Sequence, residues 1–261
     1  MRRDDPNFSG NHRKNMVQAL DASLKRLGTD YIDLYWVHAW DFTTPTSEVM
    51  RALDDMVRAG KVLHVGISDT PAWVVSRANT LAELRGWSPF VALQLRYSLI
   101  DRTAERDLIP MARAMDMAIT PWSILGAGTL TGKYSRGATP TEGRAKEGAA
   151  TDERNLAIAD TVVGIADEIG CTPSQVAVSW VRQQHGVIVP LVGARNLEQL
   201  TDNLGALEVT LDEQHLARLD DVSRIEPGFP HDFLASDPIR DIVSGGTFDQ
   251  IDNHRARHSG A

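Results

Sequence analysis

The stretch YIDLYWVHAWD, from Tyr31 to Asp41, decides how the rest of the chain is read. An apolar, aromatic-rich run of strand composition stops at its C-terminal tip on His38, with two tryptophans and Asp41 around it. The flanking sequence is of a different kind. HRKNMVQALDASLKRLG, residues 12–28, spaces its apolar residues by three and four and ends on Gly28, which suits a helix C-cap. TSEVMRALDDMVRAG, residues 46–60, reads as a helix with Thr46 or Ser47 as its cap.

The alternation continues outward. VLHVGIS (62–68), FVALQLRYS (90–98), AITPWS (118–123) and VIVPLVG (187–193) read as further strands. Between them, residues 70–86 open with Thr70 as N-cap and Pro71 at the first helical position, and residues 105–116 read as a helix. Residues 152–170, 172–186, 196–207 and 211–223 are helical, the second opening on a capping box of Thr172 and Gln175. The polar stretch 135–155 reads as a long mobile loop and 225–261 as a tail without periodicity.

Strands alternating with helices give an α/β protein with a parallel sheet covered by helices. The strands are apolar throughout, as strands buried on both faces are. No Gly-rich dinucleotide fingerprint follows the first strand, which argues against a doubly wound nucleotide fold. A TIM-type (β/α)8 barrel is the better reading, in one domain over residues 1–261, although five strands are visible where a closed barrel needs about eight.

Composition narrows the function. The chain has 261 residues, is 42% apolar and carries a formal net charge of −8, so it has material for a core and no basic surface for nucleic acid. No apolar run reaches the roughly 18 residues of a membrane span, and the N-terminus has no apolar segment of the secretory kind. Cys171 is the single cysteine, which excludes an intrachain disulfide and a cysteine-based metal site. These features predict a cytoplasmic protein.

In barrels of this type the active site gathers at the C-terminal strand ends. Here those ends carry His38 and Asp41, Ser68 and Asp69, Gln94 and Tyr97, Trp122 and Ser123, and Gly193 to Arg195. A lone histidine at a strand end is more often structural than catalytic, and a lone tryptophan is more often core.

In combination, LGTDYIDLYWVHAWD, RALDDMVRAGKVLHVGISD, ITPWSILGAGTLTGKY and VPLVGARNLEQLTDNLGAL resemble the aldo-keto reductases. The likeness is to the branch that includes the potassium-channel beta subunits and bacterial relatives, and it spans about residues 10–225. The resemblance implies a barrel that binds NADP(H) without a Rossmann domain and reduces small aldehydes and ketones to alcohols. It implies that His38 hydrogen-bonds the substrate carbonyl, and that Ser68, Asp69 and Gln94 hold the nicotinamide carboxamide. Asp69 departs from the usual Asn; an ionised carboxylate accepts hydrogen bonds but donates none. Trp122 matches the ring that stacks on the nicotinamide. Ser123, Leu125, Gly126 and Gly128 match the pyrophosphate loop. Arg195, Gln199, Asp202 and Asn203 match the adenosine end, where a guanidinium suits a 2′-phosphate and so favours NADPH, and Gly193 at the last strand's tip is counted with the cofactor-binding residues.

The family also uses an Asp, a Tyr and a Lys with the His, and these match nothing in the sequence. By the resemblance, roughly the first 80–90 residues of a typical member have no counterpart here. Tyr97, and Tyr134 with Lys133, are the nearest substitutes, and neither matches the family tyrosine. Three readings stay open: a reductase that is weak or inactive as given, a nucleotide-binding or regulatory module without turnover, and a fragment that folds only by association. An open barrel edge along Tyr31–Val37 predicts a homodimer.

Overall fold

The computed structural model describes residues 5–133 and 152–252. The loop expected at 135–155 lies outside the described residues up to residue 151. Its last residues are helical, with Asp152 capping the helix that starts at Glu153.

The first helix, α1 (Arg13–Leu27), buries Met16, Leu20 and Leu24 on one stripe and ends with Gly28 at a left-handed φ of 67°. The first strand, β1, is Ile32–Val37. Next come α2 (Thr46–Arg58), β2 (Val62–Ser68), α3 (Ala72–Arg85) and β3 (Phe90–Arg96). Then follow α4 (Leu108–Ala114) and β4 (Ala118–Trp122). The second half is helical: α5 (Glu153–Ile169), α6 (Pro173–Arg182), α7 (Leu197–Gly205) and α8 (Glu213–Ser223). The tail forms two short helices, α9 (His231–Ala235) and α10 (Asp237–Ser244), which periodicity had not indicated.

The helix starts at α2 and α3 differ from expectation in one way. Neither Thr46 nor Ser47, nor Thr70, caps its helix. Pro45 and Pro71 occupy the cap positions, and neither makes a side-chain cap bond. The ring fixes φ near the value a helix entry needs. The Pro45 carbonyl accepts from the Glu48 and Val49 amides, and the Pro71 carbonyl from those of Val74 and Val75. Thr70 is freed to bond backward, its hydroxyl donating to the Ser68 carbonyl at 2.8 Å.

The sheet is open, with strand order β1-β2-β3-β4, and β1–β2 and β2–β3 pair in parallel. The expected fifth strand at 187–193 is not a strand of this sheet. Two prolines account for it: Pro190 and Pro121 each lack the N–H a ladder requires. The Leu191 amide donates to the Pro121 carbonyl at 2.8 Å. Val187, Val189, Leu191 and Val192 are all exposed. Nor are the strands uniformly buried as read. β1 is mostly half-exposed, because it lies at the outer position of the sheet.

The chain divides into two compact units. The first comprises residues 1–95 and 111–119. Its core is built from α1, α2, α3 and the strands, with Val49, Met50, Leu53, Val65, Ile67, Val75 and Leu93 fully or almost fully buried. Gly66 is needed there, since a Cβ would lie 2.6 Å from the Trp36 ring on the neighbouring strand. Asn79 of α3 clasps β3 from both sides, donating to the Phe90 carbonyl and accepting from its amide at 3.0 and 2.9 Å.

The second unit comprises residues 96–110 and 120–261. In it Tyr97 packs against Trp180 at 5.3 Å between ring centroids, with the ring planes tilted by 34°. Arg102 lies beside them, bound through both edges of its guanidinium to Glu105, Asp220 and Ser223.

Candidate active site

In the first unit, parallel register sets the strand tips side by side. Val37 pairs with Ile67, so His38 is the first residue past β1 and Ser68 the last of β2. Ser68 in turn pairs with Gln94. The Trp40 amide donates to the Asp69 carbonyl at 3.5 Å, joining the loops that follow β1 and β2. His38 and Asp69 are exposed, and Gln94 is half-buried. Asp69 has a φ of 42°, which few non-glycine residues adopt outside turns and functional sites. The Ser68 hydroxyl is fully buried and has no partner among the described residues. A buried polar group of this kind is costly unless something satisfies it.

Past His38 the chain is tightly held. Asp41 accepts from the Asn11 amide at 2.6 Å, from the Thr43 and Thr44 amides at 2.9 Å each, and from the Thr44 hydroxyl at 2.7 Å. Burial raises the Asp41 carboxyl pKa, but these bonds to the charged form outweigh it and lower the value to about 2.

In the second unit, a cavity of about 800 Å³ opens beyond the tip of β4. It brings together Trp122, Ser123, Leu125 and Gly128 with Gly193, Arg195, Gln199, Asp202 and Asn203. Ser123 sits at φ 60° and Gly128 at φ 103°, so the loop after β4 turns by left-handed steps. Gly126 is not among the lining residues. A Cβ on it would lie under 2.5 Å from Ile100, so its missing side chain makes room for packing. Arg96 lies over the Trp122 ring at 5.9 Å. The Arg195 amide donates to Gln199, and Asn203 donates to the Gly193 carbonyl at 3.3 Å, so α7 braces the segment carrying Arg195.

The cavity also contains residues that sequence reasoning did not assign to it. Lys133 supplies a second cation to the lining that holds Arg195, and Thr172, Pro173 and Ser174 bring the N-terminus of α6 to the wall. The sequence signal for Lys133 is its place in LTGKY, a few residues past the left-handed turn. The signal for α6 was its capping box, since helix N-termini favour anions. That box is present, with the Thr172 hydroxyl accepting from the Gln175 amide at 3.2 Å. Thr172 and Gln175 also donate to Asp202 at 2.8 and 3.2 Å, so this carboxylate is engaged within the wall. Two cations and a helix N-terminus around a cavity of this size suit an extended phosphorylated ligand.

Tyr97 is not placed as a proton donor. It is 2% exposed and its hydroxyl is committed to Glu105. Burial first, and the Glu105 charge second, raise its phenol pKa well above the usual range. Tyr134 lies outside the described residues. Cys171 is half-buried beside Thr172, and among the described residues no cluster of His, Cys, Asp and Glu could hold a metal ion. Among the same residues no helix is long and apolar enough to cross a membrane.

Comparison with known proteins gives one consistent result. The family model described as Aldo/keto reductase family matches residues 1–224. Norsolorinic acid reductase A of Aspergillus parasiticus is 37% identical over 247 residues, which cover 94% of this chain and 62% of that protein. A putative aryl-alcohol dehydrogenase of Saccharomyces cerevisiae is 37% identical over 242 residues, 89% of this chain and 82% of its own. The aryl-alcohol dehydrogenase [NADP(+)] of Phanerodontia chrysosporium is 37% identical over 231 residues, 86% of this chain and 60% of its own.

Proposed function

Because the chain belongs to the aldo/keto reductase family, we propose that it binds NADP(H) and takes a small aldehyde or ketone, with His38 hydrogen-bonding the carbonyl oxygen. The observation that carries this reading is the cavity beyond β4, whose walls hold Arg195, Lys133 and the α6 N-terminus. Arg195 and Lys133 would hold phosphate, and Trp122 would present a flat ring to the nicotinamide. Ser68 and Gln94 would take the carboxamide, and Asp69 could only accept from it. The unpartnered Ser68 hydroxyl fits that assignment. The cofactor supplies hydride chemistry when bound. The residues of this chain bind it, orient the carbonyl and keep the nicotinamide face covered.

On our reading of the resemblance, the family Asp, Tyr and Lys have no counterpart in these 261 residues. Expressed alone, they would turn over slowly or not at all, by about 10²–10⁴-fold for want of a positioned acid. Nucleotide binding without turnover is the second reading, favoured by the commitment of Tyr97 to Glu105. Quenching of NADPH fluorescence tests the first step, and NADPH consumption with nitrobenzaldehyde separates the two readings. Arg195→Ala should weaken NADPH by about 1.5–3 kcal/mol and NADH much less. Equal losses for both cofactors would remove the 2′-phosphate role.

Two further parts belong to the same proposal. The first is a cytoplasmic location, which imaging of the tagged chain tests. The second is a homodimer formed at the outer strand β1 or its flanking helix.

A further inference from the structure

The residues after His38 are held by hydrogen bonds within their own loop and by others from the segment before α1. Asn11 spans this loop. Its side-chain amide donates to the Ala39 carbonyl at 3.1 Å, and its side-chain oxygen accepts from the Asp41 amide at 2.8 Å. Its own backbone amide donates to Asp41 at 2.6 Å. The exchange is reciprocal: each residue's side chain takes the other's backbone amide. Gly10 permits the approach, since at φ 73° a Cβ would lie 2.8 Å from the Asp41 carboxylate. Within the held loop, Phe42 sits at φ 57°, a conformation that costs a non-glycine residue energy and persists only where its surroundings impose it. The four acceptances at Asp41 are those surroundings.

None of these contacts lies in a helix or strand. Their common effect is to fix the backbone from Ala39 to Thr44. His38 lies between the end of β1 at Val37 and this fixed segment, and it is exposed. The strand holds the chain on one side of His38, and the Asn11–Asp41 pair holds it on the other. We propose that Asn11 and Asp41 are positioning residues for His38, a reciprocal side-chain-to-backbone latch that sets where its imidazole meets a carbonyl oxygen. The inference rests on the carbonyl-binding role given to His38 above.

A double-mutant cycle tests it, because coupling through one group is non-additive whereas general weakening is additive. The affinity of the NADPH-loaded chain for a fluorinated acetophenone is read by fluorine NMR, which does not require turnover. Asn11→Ala and His38→Ala should each weaken the ketone by about 2–10-fold, the range of one hydrogen bond. The double variant should bind no worse than His38→Ala, and NADPH affinity should be unchanged by Asn11→Ala. Gly10→Ala disturbs the latch from its other side and leaves Asn11 in place. It should give the same non-additive pattern, and it carries the test if Asn11→Ala does not fold. Losses that multiply in the double variant, or an unchanged ketone affinity in both latch variants, would overturn the latch while leaving the role of His38 intact. An unchanged affinity in His38→Ala would instead remove that role, and the latch with it.

Discussion

Asp41 shows what one side chain can do when the backbone around it is irregular. Its carboxylate replaces the hydrogen bonds that a helix or strand would have supplied to three amides. Its pKa of about 2 lies below the usual 3.9 or so, so it stabilises the folded state above that ordinary value and loses the contribution as pH falls towards 2. Asp41→Asn should therefore lower stability by about 1 kcal/mol at neutral pH, the modest figure reflecting a half-buried site. The gap between the two proteins should close between about pH 4 and pH 2, as urea midpoints across that range would show. A gap independent of pH would mean that the charge is not what matters. Gly66 is a second case at this scale. Adding a methyl group 2.6 Å from the Trp36 ring should cost about 1–3 kcal/mol in Gly66→Ala, measured by denaturant unfolding.

The elements differ in how far local sequence decides them. α6 starts where Thr172 and Gln175 say it should, and Thr172→Ala should cost about 1 kcal/mol in thermal unfolding through the lost cap. α8 depends on distant partners. Arg102, 11% exposed, donates to the Asp220 carboxylate at 2.9 Å and to the Ser223 hydroxyl at 2.8 Å near the end of that helix. It also grips Glu105 at 2.7 and 3.1 Å and lies over Trp180 at 5.1 Å. Arg154 adds a bond to the Ser223 carbonyl at 2.7 Å, where the helix runs out of internal partners. Arg102→Met keeps the volume but leaves two carboxylates without their cation. It should cost about 2–4 kcal/mol and show as a lower urea midpoint; a loss under 1 kcal/mol would mean that Tyr97 and Trp180 hold these segments without it.

At the scale of the whole molecule, the open sheet leaves apolar and backbone groups facing outward. β1 is an outer strand and Tyr31 beside it is 48% exposed. In the second unit, Leu197, Leu204 and Leu207 are exposed on and after α7 in addition to the valines of 187–192. Exposed apolar groups and an unpaired strand edge both favour association. Sedimentation at micromolar concentration should give a dimer mass. A charged residue in place of Leu34 on β1 should shift it towards monomer if the strand edge is the contact. A monomer of unaltered sequence with a cooperative melt would refute the dimer.

The sequence alone determined most elements and the order in which they occur, because apolar periodicity, capping boxes and C-cap glycines act within a few residues of one another. Gly28, the Thr172–Gln175 box and the strands around Val37, Ile67 and Leu93 were legible for that reason. It also carried the resemblance to the aldo-keto reductases, which the family match over residues 1–224 bears out for the family though not for a branch of it. What it left undecided depends on groups far apart in the chain. Whether VIVPLVG becomes a strand turns on Pro121, some seventy positions away, as well as on its own Pro190. Lys133 joins Arg195 only through the walls of a cavity, and Tyr97 loses its freedom as an acid only when Glu105 and Trp180 close over it. The latch between Asn11 and Asp41 spans thirty residues and leaves no periodic trace. Local signals are additive along a chain, whereas these contacts exist only once tertiary packing has removed the water that would otherwise satisfy the same groups.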